Sequence, residues 1–194
     1  MDVNEAFEAD ARKYENFNAF FTRSLRPGSR PIANSDIVSP ADGVVSQFGF
    51  IDRESLVQAK GRFFLLSELL GFDEKTSQQD FEDGAFLTIY LSPRDYHRFH
   101  MPVSGSLLST RYVPGKLYSV NAATAKKLDN LYARNERYIA NFSGMQGRFA
   151  MVAVGAMIVA GIETVWSGAV ASSSLITEVR EHQYKEKCIW KNRG

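Results

Sequence analysis

Two of the three histidines in the sequence lie three positions apart, in a segment that also carries several charged side chains. His97 and His100 fall within residues 92–102, which a proline bounds near each end. The charged residues beside them are Arg94, Asp95 and Arg98. Imidazole is the side chain best suited to proton transfer near neutral pH, and loops after strands often hold catalytic groups. The segment is therefore a candidate site for acid–base chemistry, although a lone histidine more often has a structural role.

The same two histidines could instead bind a metal ion, because His-x-x-His on one helical turn presents both rings to one side. The third ligand would then be His182 or a carboxylate. No His-Glu-x-x-His pattern supports this interpretation. The single cysteine, Cys188, excludes a Cys-rich zinc site and an internal disulfide. We therefore predict no metal site.

A second candidate is the aspartate in Ser39-Pro40-Ala41-Asp42-Gly43. An Asp-Gly pair between two apolar runs is typical of a simple turn. Alternatively, Asp42 could lie at a strand edge and orient a histidine, as the aspartate of a Ser-His-Asp arrangement does. The spacing alone leaves both interpretations open.

The elements that must position these residues are mostly short strands broken by turns, after an N-terminal helical region. In that region Phe7, Ala11, Tyr14, Phe17 and Phe21 follow one another at helical spacing. Strands are predicted at Ile37–Ser39, Val44–Phe50, Ala85–Leu91, Leu107–Val113, Arg137–Phe142, Phe149–Val154 and Leu175–Val179, and short helices at Phe63–Leu70 and Ala122–Leu131. We predict an α+β fold with a predominantly antiparallel β-sheet core: a helical arm over residues 1–31 and a β-rich domain over residues 32–194.

Composition excludes several classes of protein. The 194 residues are 44% hydrophobic and 23% charged, which is typical of a globular chain and not of a disordered one. The formal net charge of +1 argues against a nucleic-acid-binding protein. The longest apolar stretch, Ala150–Ile162, is too short to span a bilayer, which needs about 20 residues. No secretory signal opens the chain, and the cysteine usage fits a reducing compartment.

Taken together, these segments resemble the phosphatidylserine decarboxylase family, in its bacterial short form. The similar stretches follow in the family's order from about Glu5 to Gly168, and each is weak alone. They are Phe17–Leu25, Arg30–Ile32, Ser39–Gly43, Gln58–Gly61, Tyr90–Pro102, Tyr112–Gly115, Ser119–Asn121, Asn135–Arg137, Val154–Ala156 and Ile162–Trp166.

The resemblance implies roles for the two motifs. Members of the family are proenzymes that cut themselves at a Gly-Ser bond, where the serine hydroxyl attacks the preceding carbonyl. Elimination and hydrolysis then leave a pyruvoyl group on the new chain. A serine hydroxyl needs a base to take its proton. Carried over by position, His100 would be that base, Asp42 would orient it, and His97 would serve decarboxylation or contact the substrate.

The implied reaction converts phosphatidylserine to phosphatidylethanolamine and carbon dioxide through a pyruvoyl Schiff base, with the pyruvoyl group as electron sink. The family's Gly-Ser-Thr motif is absent, since the only Gly-Ser pairs are Gly28-Ser29 and Gly105-Ser106. The resemblance therefore implies that the chain is most of the larger, non-pyruvoyl part. It would be inactive alone and need a C-terminal small chain that bears the pyruvoyl group. Alternatives are a decarboxylase of another serine phospholipid, such as archaetidylserine, and an inactive lipid-binding remnant.

A bilayer substrate also implies peripheral association with the cytoplasmic side of the cell membrane. The arm residues expected at an anionic surface are Phe17, Phe20, Phe21 and Leu25, with Arg23, Arg26 and Arg30. For Phe7, Tyr14 and Phe17 we favour packing on the β core. The sequence does not determine the oligomeric state, and a homodimer stays open.

Overall fold

The chain was analysed as a computed structural model, which describes residues 3–53, 55–72, 81, 83–157, 159, 161–171, 177–185 and 189–191. Its strands are β1 (Val44–Phe50), β2 (Ser55–Ala59), β3 (Arg62–Leu65), β4 (Ala85–Tyr90), β5 (Gly105–Val113), β6 (Arg137–Gly144), β7 (Gly147–Val154), β8 (Ile162–Thr164), β9 (Gly168–Ala171), β10 (Arg180–Gln183) and β11 (Ile189–Trp190). Its helices are α1 (Phe17–Phe21), α2 (Leu66–Leu70), α3 (Ala122–Ala125) and α4 (Leu131–Arg134), with a 3-10 turn at Ala11–Lys13.

Every pairing between these strands is antiparallel, which confirms the predicted fold class. The largest sheet has the order β10-β5-β6-β7, and β11 also pairs with β5. The pairs β1-β4, β2-β3 and β8-β9 form two-stranded sheets. Among the described residues, no helix is both long and apolar enough to cross a bilayer.

The core covers both faces of the largest sheet, because side chains alternate along a strand. In β6, Ile139 contributes to a cluster with β2, β3, α2 and α4. Its neighbours Tyr138, Ala140 and Phe142 contribute to a second cluster with Leu107 on β5. The tight hairpin between β6 and β7, which pairs Gly144 with Gly147, agrees with the predicted loop.

Three buried polar side chains tie the loops to this core through backbone groups. Arg137 donates to the carbonyl oxygens of Glu68, Leu69, Ala133 and Asn135 at 2.5–3.0 Å, so one guanidinium joins the ends of α2 and α4 to β6. Gln58 and Asn135 each accept from one backbone N–H and donate to two carbonyls. These residues of the family-like stretches therefore have a structural role.

The predicted N-terminal helix is largely wrong. Only the 3-10 turn and the five-residue α1 are helical, and Asn16 caps α1 by accepting from the Ala19 N–H at 2.9 Å. The segments on either side are joined by an isolated antiparallel bridge between Ala6 and Leu25, with Phe7 N donating to Ser24 O and Arg26 N donating to Glu5 O. These long-range hydrogen bonds outcompete the local helical pattern.

Other boundaries also differ from the predictions. No strand forms over 37–39, and the predicted helix over 63–70 begins as strand β3 before α2. The helix predicted over 122–131 is interrupted: α3 ends at Ala125, turns follow, and Asn130, in a left-handed conformation with φ 55°, directly precedes α4. Residues 177–179 of the last predicted strand are not in a strand, and β10 begins only at Arg180. The start of that predicted strand and Cys188 lie outside the described residues.

The arm's side chains face differently from what the sequence led us to expect. Phe21 and Arg23 are buried, so neither is available to a membrane surface. Phe7 and Phe17, which were expected to pack on the core, are 70% and 62% exposed. Tyr14 is half-buried and its hydroxyl donates to Glu8 O at 2.7 Å.

Candidate active site

Asp42 lies in the loop that leads into β1, and this loop packs closely against the end of β4. Gly43 has φ +116°, and a Cβ there would lie 2.4 Å from the carbonyl oxygen of Tyr90. Only glycine fits this backbone conformation and this close approach. The Asp-Gly pair therefore lies in a bend before β1, with no strand on its other side, and this bend holds Asp42 at the edge of the β1-β4 sheet.

The loop that carries both histidines runs beside the Asp42 loop. Val38 N donates to Pro102 O at 3.0 Å, and His100 N donates to Pro40 O at 2.7 Å. Two backbone hydrogen bonds thus join segments that lie about sixty positions apart in the sequence. They bring the residues of both candidate motifs to one place in the fold.

The Asp42 carboxylate is paired with Arg30. Arg30 Nε donates to Oδ1 at 2.8 Å and Nη2 donates to Oδ2 at 2.6 Å. Hydrogen bonds from this guanidinium lower the pKa of Asp42, and the charges of His100 and Arg23 act in the same direction. Asp42 is therefore an ionised carboxylate at neutral pH.

The His100 imidazole lies against Tyr96. Its Nε2 is 3.2 Å from the Tyr96 hydroxyl oxygen, and the two rings stack with 5.7 Å between centroids. Partial burial lowers the pKa of His100, Arg98 lowers it further, and Asp42 opposes both. The ring is therefore mainly neutral at pH 7, which is the form that a general base requires.

Asp42 and His100 interact through their charges, but their side chains make their hydrogen bonds elsewhere. In the described part of the chain, the carboxylate accepts from Arg30 and the imidazole meets Tyr96. Catalytic hydrogen bonds are often long or unformed before the reacting groups are in place. A direct Asp42–His100 hydrogen bond would use a lone pair that Arg30 leaves open.

His97 is held differently from His100. Its Nδ1 is 2.9 Å from the carbonyl oxygen of Asp95, so Nδ1 carries the proton and Nε2 has the free lone pair in the neutral ring. The ring centroid lies 3.9 Å from that of Phe21 in α1. Burial lowers the pKa of His97. The N-terminal arm therefore packs directly on the candidate site.

A pocket of about 710 Å³ opens beside Asp42. Its lining residues are Arg30, Asp42, Gly43, Val44, Tyr90, Ser92, Arg94 and Asp95. A second cavity, of about 200 Å³, is lined by residues of β2, β3 and α2 and by Asn130, and contains no motif residue. We therefore place the candidate site at the larger pocket.

The third histidine has a different setting from the first two. His182 lies on β10, where it pairs with Thr110 of β5, and its ring centroid is 4.5 Å from that of Tyr184. In the residues that the structure describes, no three His, Cys, Asp or Glu side chains are grouped so that they could hold a metal ion.

Comparison of the sequence with known proteins identifies the family of the chain. The sequence model of the family described as phosphatidylserine decarboxylase matches residues 17–188. The chain belongs to the phosphatidylserine decarboxylase family. This confirms the resemblance, and the matched residues include Asp42, His97 and His100.

Curated relatives are named as phosphatidylserine decarboxylase proenzymes. The protein of Methylibium petroleiphilum is 48% identical over 187 residues, which are 96% of this chain and 65% of that protein. The protein of Marinobacter nauticus is 50% identical, with 95% of this chain and 64% of that protein covered. That of Alcanivorax borkumensis is 54% identical, with 88% and 59% covered. The chain thus spans less than two thirds of the length of these relatives.

Sequence reasoning about the site missed the partners of the two key side chains. Arg30 was expected at a membrane surface, and Tyr96 had no predicted role. Arg30 is part of the family-like Arg-Pro-Ile stretch, which is the one signal that could have pointed to the site. Its pairing with Asp42 depends on tertiary structure, so no periodicity predicts it.

Proposed function

We propose that the chain is the histidine-bearing part of a phosphatidylserine decarboxylase, which converts phosphatidylserine to phosphatidylethanolamine and carbon dioxide. One observation carries the proposal. In a chain that belongs to this family, the loop of Asp42 and the loop of His97 and His100 are joined side by side by backbone hydrogen bonds.

The first role of these residues is in self-cleavage of a proenzyme. His100 accepts the proton of the attacking serine hydroxyl, and ionised Asp42 stabilises the imidazolium that forms. That serine is not in either Gly-Ser pair of the chain. Gly28-Ser29 lies in a turn, and Gly105-Ser106 begins β5, where both residues pair with β6. We propose that a segment with Gly-Ser-Thr, which these 194 residues do not contain, supplies it.

The residues at the pocket fit a pyruvoyl group as the family's cofactor. The paired charges of Arg30 and Asp42 give the pocket a polar wall, and His97 and His100 lie in the loop that continues from its lining residues Arg94 and Asp95. When bound, the pyruvoyl group supplies an electron sink for the loss of carbon dioxide. Arg94, an exposed cation of the same pocket, is placed to meet the anionic substrate.

The second role, protonation of the product, belongs to His97. Replacing a carboxylate by hydrogen consumes one proton, which must reach the substrate carbon. The Nε2 of His97 takes a proton from water and delivers it, while the Asp95 carbonyl keeps Nδ1 protonated and the ring in a fixed orientation.

We expect His97→Ala to separate the two reactions. A proenzyme with this change, carrying these 194 residues followed by a Gly-Ser-Thr segment, should still cleave itself because His100 and Asp42 are intact. Its release of carbon dioxide should fall about 10²–10⁴-fold, the usual contribution of one acid–base group. A gel measures the cleavage, and trapping of labelled carbon dioxide measures the turnover. Full turnover in the variant would contradict the role of His97.

For the membrane, we propose peripheral association through the exposed part of the arm. Phe7 and Phe17 present apolar rings to solvent, and the exposed Arg26 lies beside Phe7, because its Nε donates to the carbonyl oxygen of Ala6 at 3.1 Å. Aromatic rings that enter the interface and a base that meets anionic headgroups are the two components of such binding. Arg23 and Arg30 drop out of the predicted set, because the first is buried and the second is ion-paired.

Vesicle sedimentation tests this association. We expect Phe17→Ala and Arg26→Gln each to weaken binding to phosphatidylserine-containing vesicles, the second by about 1 kcal/mol. Met145→Ala is the matched control, since Met145 is 99% exposed but lies in the β6-β7 turn. Equal binding by the unchanged protein and all three variants would refute membrane association through the arm.

A further inference from the structure

Arg30 lies between two carboxylates that come from different parts of the chain. On one side it donates to Asp42, and on the other its Nη1 and Nη2 donate to Glu5 at 3.1 and 2.9 Å. Glu5 is itself held beside the bridge between Ala6 and Leu25, where Arg26 N donates to Glu5 O. The three side chains form one continuous ion-pair chain, Glu5–Arg30–Asp42.

This arrangement fixes the Asp42 carboxylate in orientation. Both of its oxygens accept from the same planar guanidinium, and such paired contacts define direction as well as distance. A carboxylate has about four lone-pair sites, so it can still accept from His100. Because Glu5 holds the far side of the guanidinium, Arg30 cannot turn away from Asp42 without breaking a second ion pair.

We propose that Arg30 is a positioning residue for self-cleavage, which holds the Asp42 carboxylate in a fixed orientation beside the loop of His100. The inference rests on the proposed function, because it names a further residue for the same site. Arg30 touches neither reacting atom in this role and acts through Asp42. Glu5 supports it from the arm, so the N-terminal segment helps to assemble the site.

The charges around the site set the expected dependence on pH. Asp42 is influenced by Arg30, His100 and Arg23, and His100 by Arg98 and Asp42. Arg30 lowers the pKa of Asp42, so its removal raises that pKa. Loss of the cation also leaves the Asp42 charge less compensated, which raises the pKa of His100. With both pKa values raised, Asp42 and His100 become protonated at a higher pH. Self-cleavage should therefore be lost at a higher pH as the solution is acidified.

The test measures the rate of self-cleavage between pH 4 and 8 (roughly the range in which carboxylates and histidines titrate) in a proenzyme that includes these 194 residues. We expect Arg30→Gln to cleave about 10–100-fold more slowly, as for other losses of positioning, and to lose activity at higher pH than the unchanged protein. Arg30→Lys keeps the positive charge but not the paired hydrogen bonds to both carboxylate oxygens. We expect it to recover part of the self-cleavage rate and to lose that rate at nearly the same low pH as the unchanged protein.

Arg12→Gln is the matched control, because Arg12 also donates Nε and Nη2 to both oxygens of an aspartate, Asp10, at 2.9 Å. It should cleave at the normal rate. Glu5→Gln should slow cleavage less than Arg30→Gln does, since it leaves Asp42 paired. Normal or faster cleavage by folded Arg30→Gln, with an unshifted pH profile, would overturn the proposal.

Two further measurements distinguish a failure of the Arg30 proposal from a failure of the proposed decarboxylase function. If the unchanged protein cleaves but releases no carbon dioxide, the proposed function fails while the effect of Arg30 on cleavage still decides its role. Carbon NMR of the Asp42 carboxyl, in a proenzyme whose Gly-Ser-Thr serine is alanine, needs no cleavage at all. We expect its titration midpoint to rise in Arg30→Gln, and an unchanged midpoint would refute the positioning role.

Discussion

A proenzyme with His100→Ala is expected to remain a single uncut chain on a denaturing gel. The serine hydroxyl then has no base to take its proton, and Asp42 has no imidazolium to stabilise. Removal of one member of a Ser-His-Asp set slows the reaction by about 10⁴-fold or more. Cleavage that the unchanged protein completes in an hour would therefore not be seen within days.

His182→Ala is the matched control for this experiment. It removes the same ring from an exposed position on β10, so cleavage should be normal. Circular dichroism of both variants shows whether the fold is kept. Normal processing of folded His100→Ala would refute the assignment of His100 as base.

The largest expected effect on stability is at Arg137. Its guanidinium is 3% exposed and donates to four backbone carbonyls, and burial lowers its pKa to about 10, so it remains charged at neutral pH. In Arg137→Met the unbranched apolar part of the side chain is kept, but the buried carbonyls lose their guanidinium donors. We expect the free energy of unfolding to fall by about 3–5 kcal/mol.

Urea unfolding of the uncut proenzyme, followed by tryptophan fluorescence, measures this change. Arg12→Met is the control, because the Arg12 side chain is 90% exposed and a solvent-exposed ion pair adds little to stability. A loss below about 1 kcal/mol in Arg137→Met would contradict the account of how β6 is tied to α2 and α4.

The parts of the fold that the sequence predicted well are those with local signals. Alternating apolar residues and a glycine-bounded turn predict β6, β7 and the hairpin between them, and the structure confirms both. The N-terminal stripe has an equally clear helical period, yet residues 5–7 pair with residues 24–26 through an antiparallel bridge. Pairing between distant segments leaves no periodic trace, so the local pattern misleads there.

The same limit applies to the site. The types of His97 and His100 were sufficient to propose acid–base chemistry, because few side chains transfer protons near pH 7, whereas the role of Asp42 came from the family resemblance. Their proximity depends on the loops that follow β4 and precede β1, and on Gly43, which permits the close approach to Tyr90. Arg30 contacts Asp42 across twelve residues, and the Arg-Pro-Ile stretch that contains Arg30 does not indicate its partner, so only the structure shows this pair.

The release of labelled carbon dioxide from phosphatidylserine, labelled in the serine carboxyl, tests the central claim most directly. The protein assayed is a self-cleaved proenzyme that contains these 194 residues and a Gly-Ser-Thr segment. We predict release that hydroxylamine abolishes, because hydroxylamine attacks the ketone carbonyl of a pyruvoyl group. No release by fully cleaved protein, or release that hydroxylamine leaves unchanged, would contradict the account.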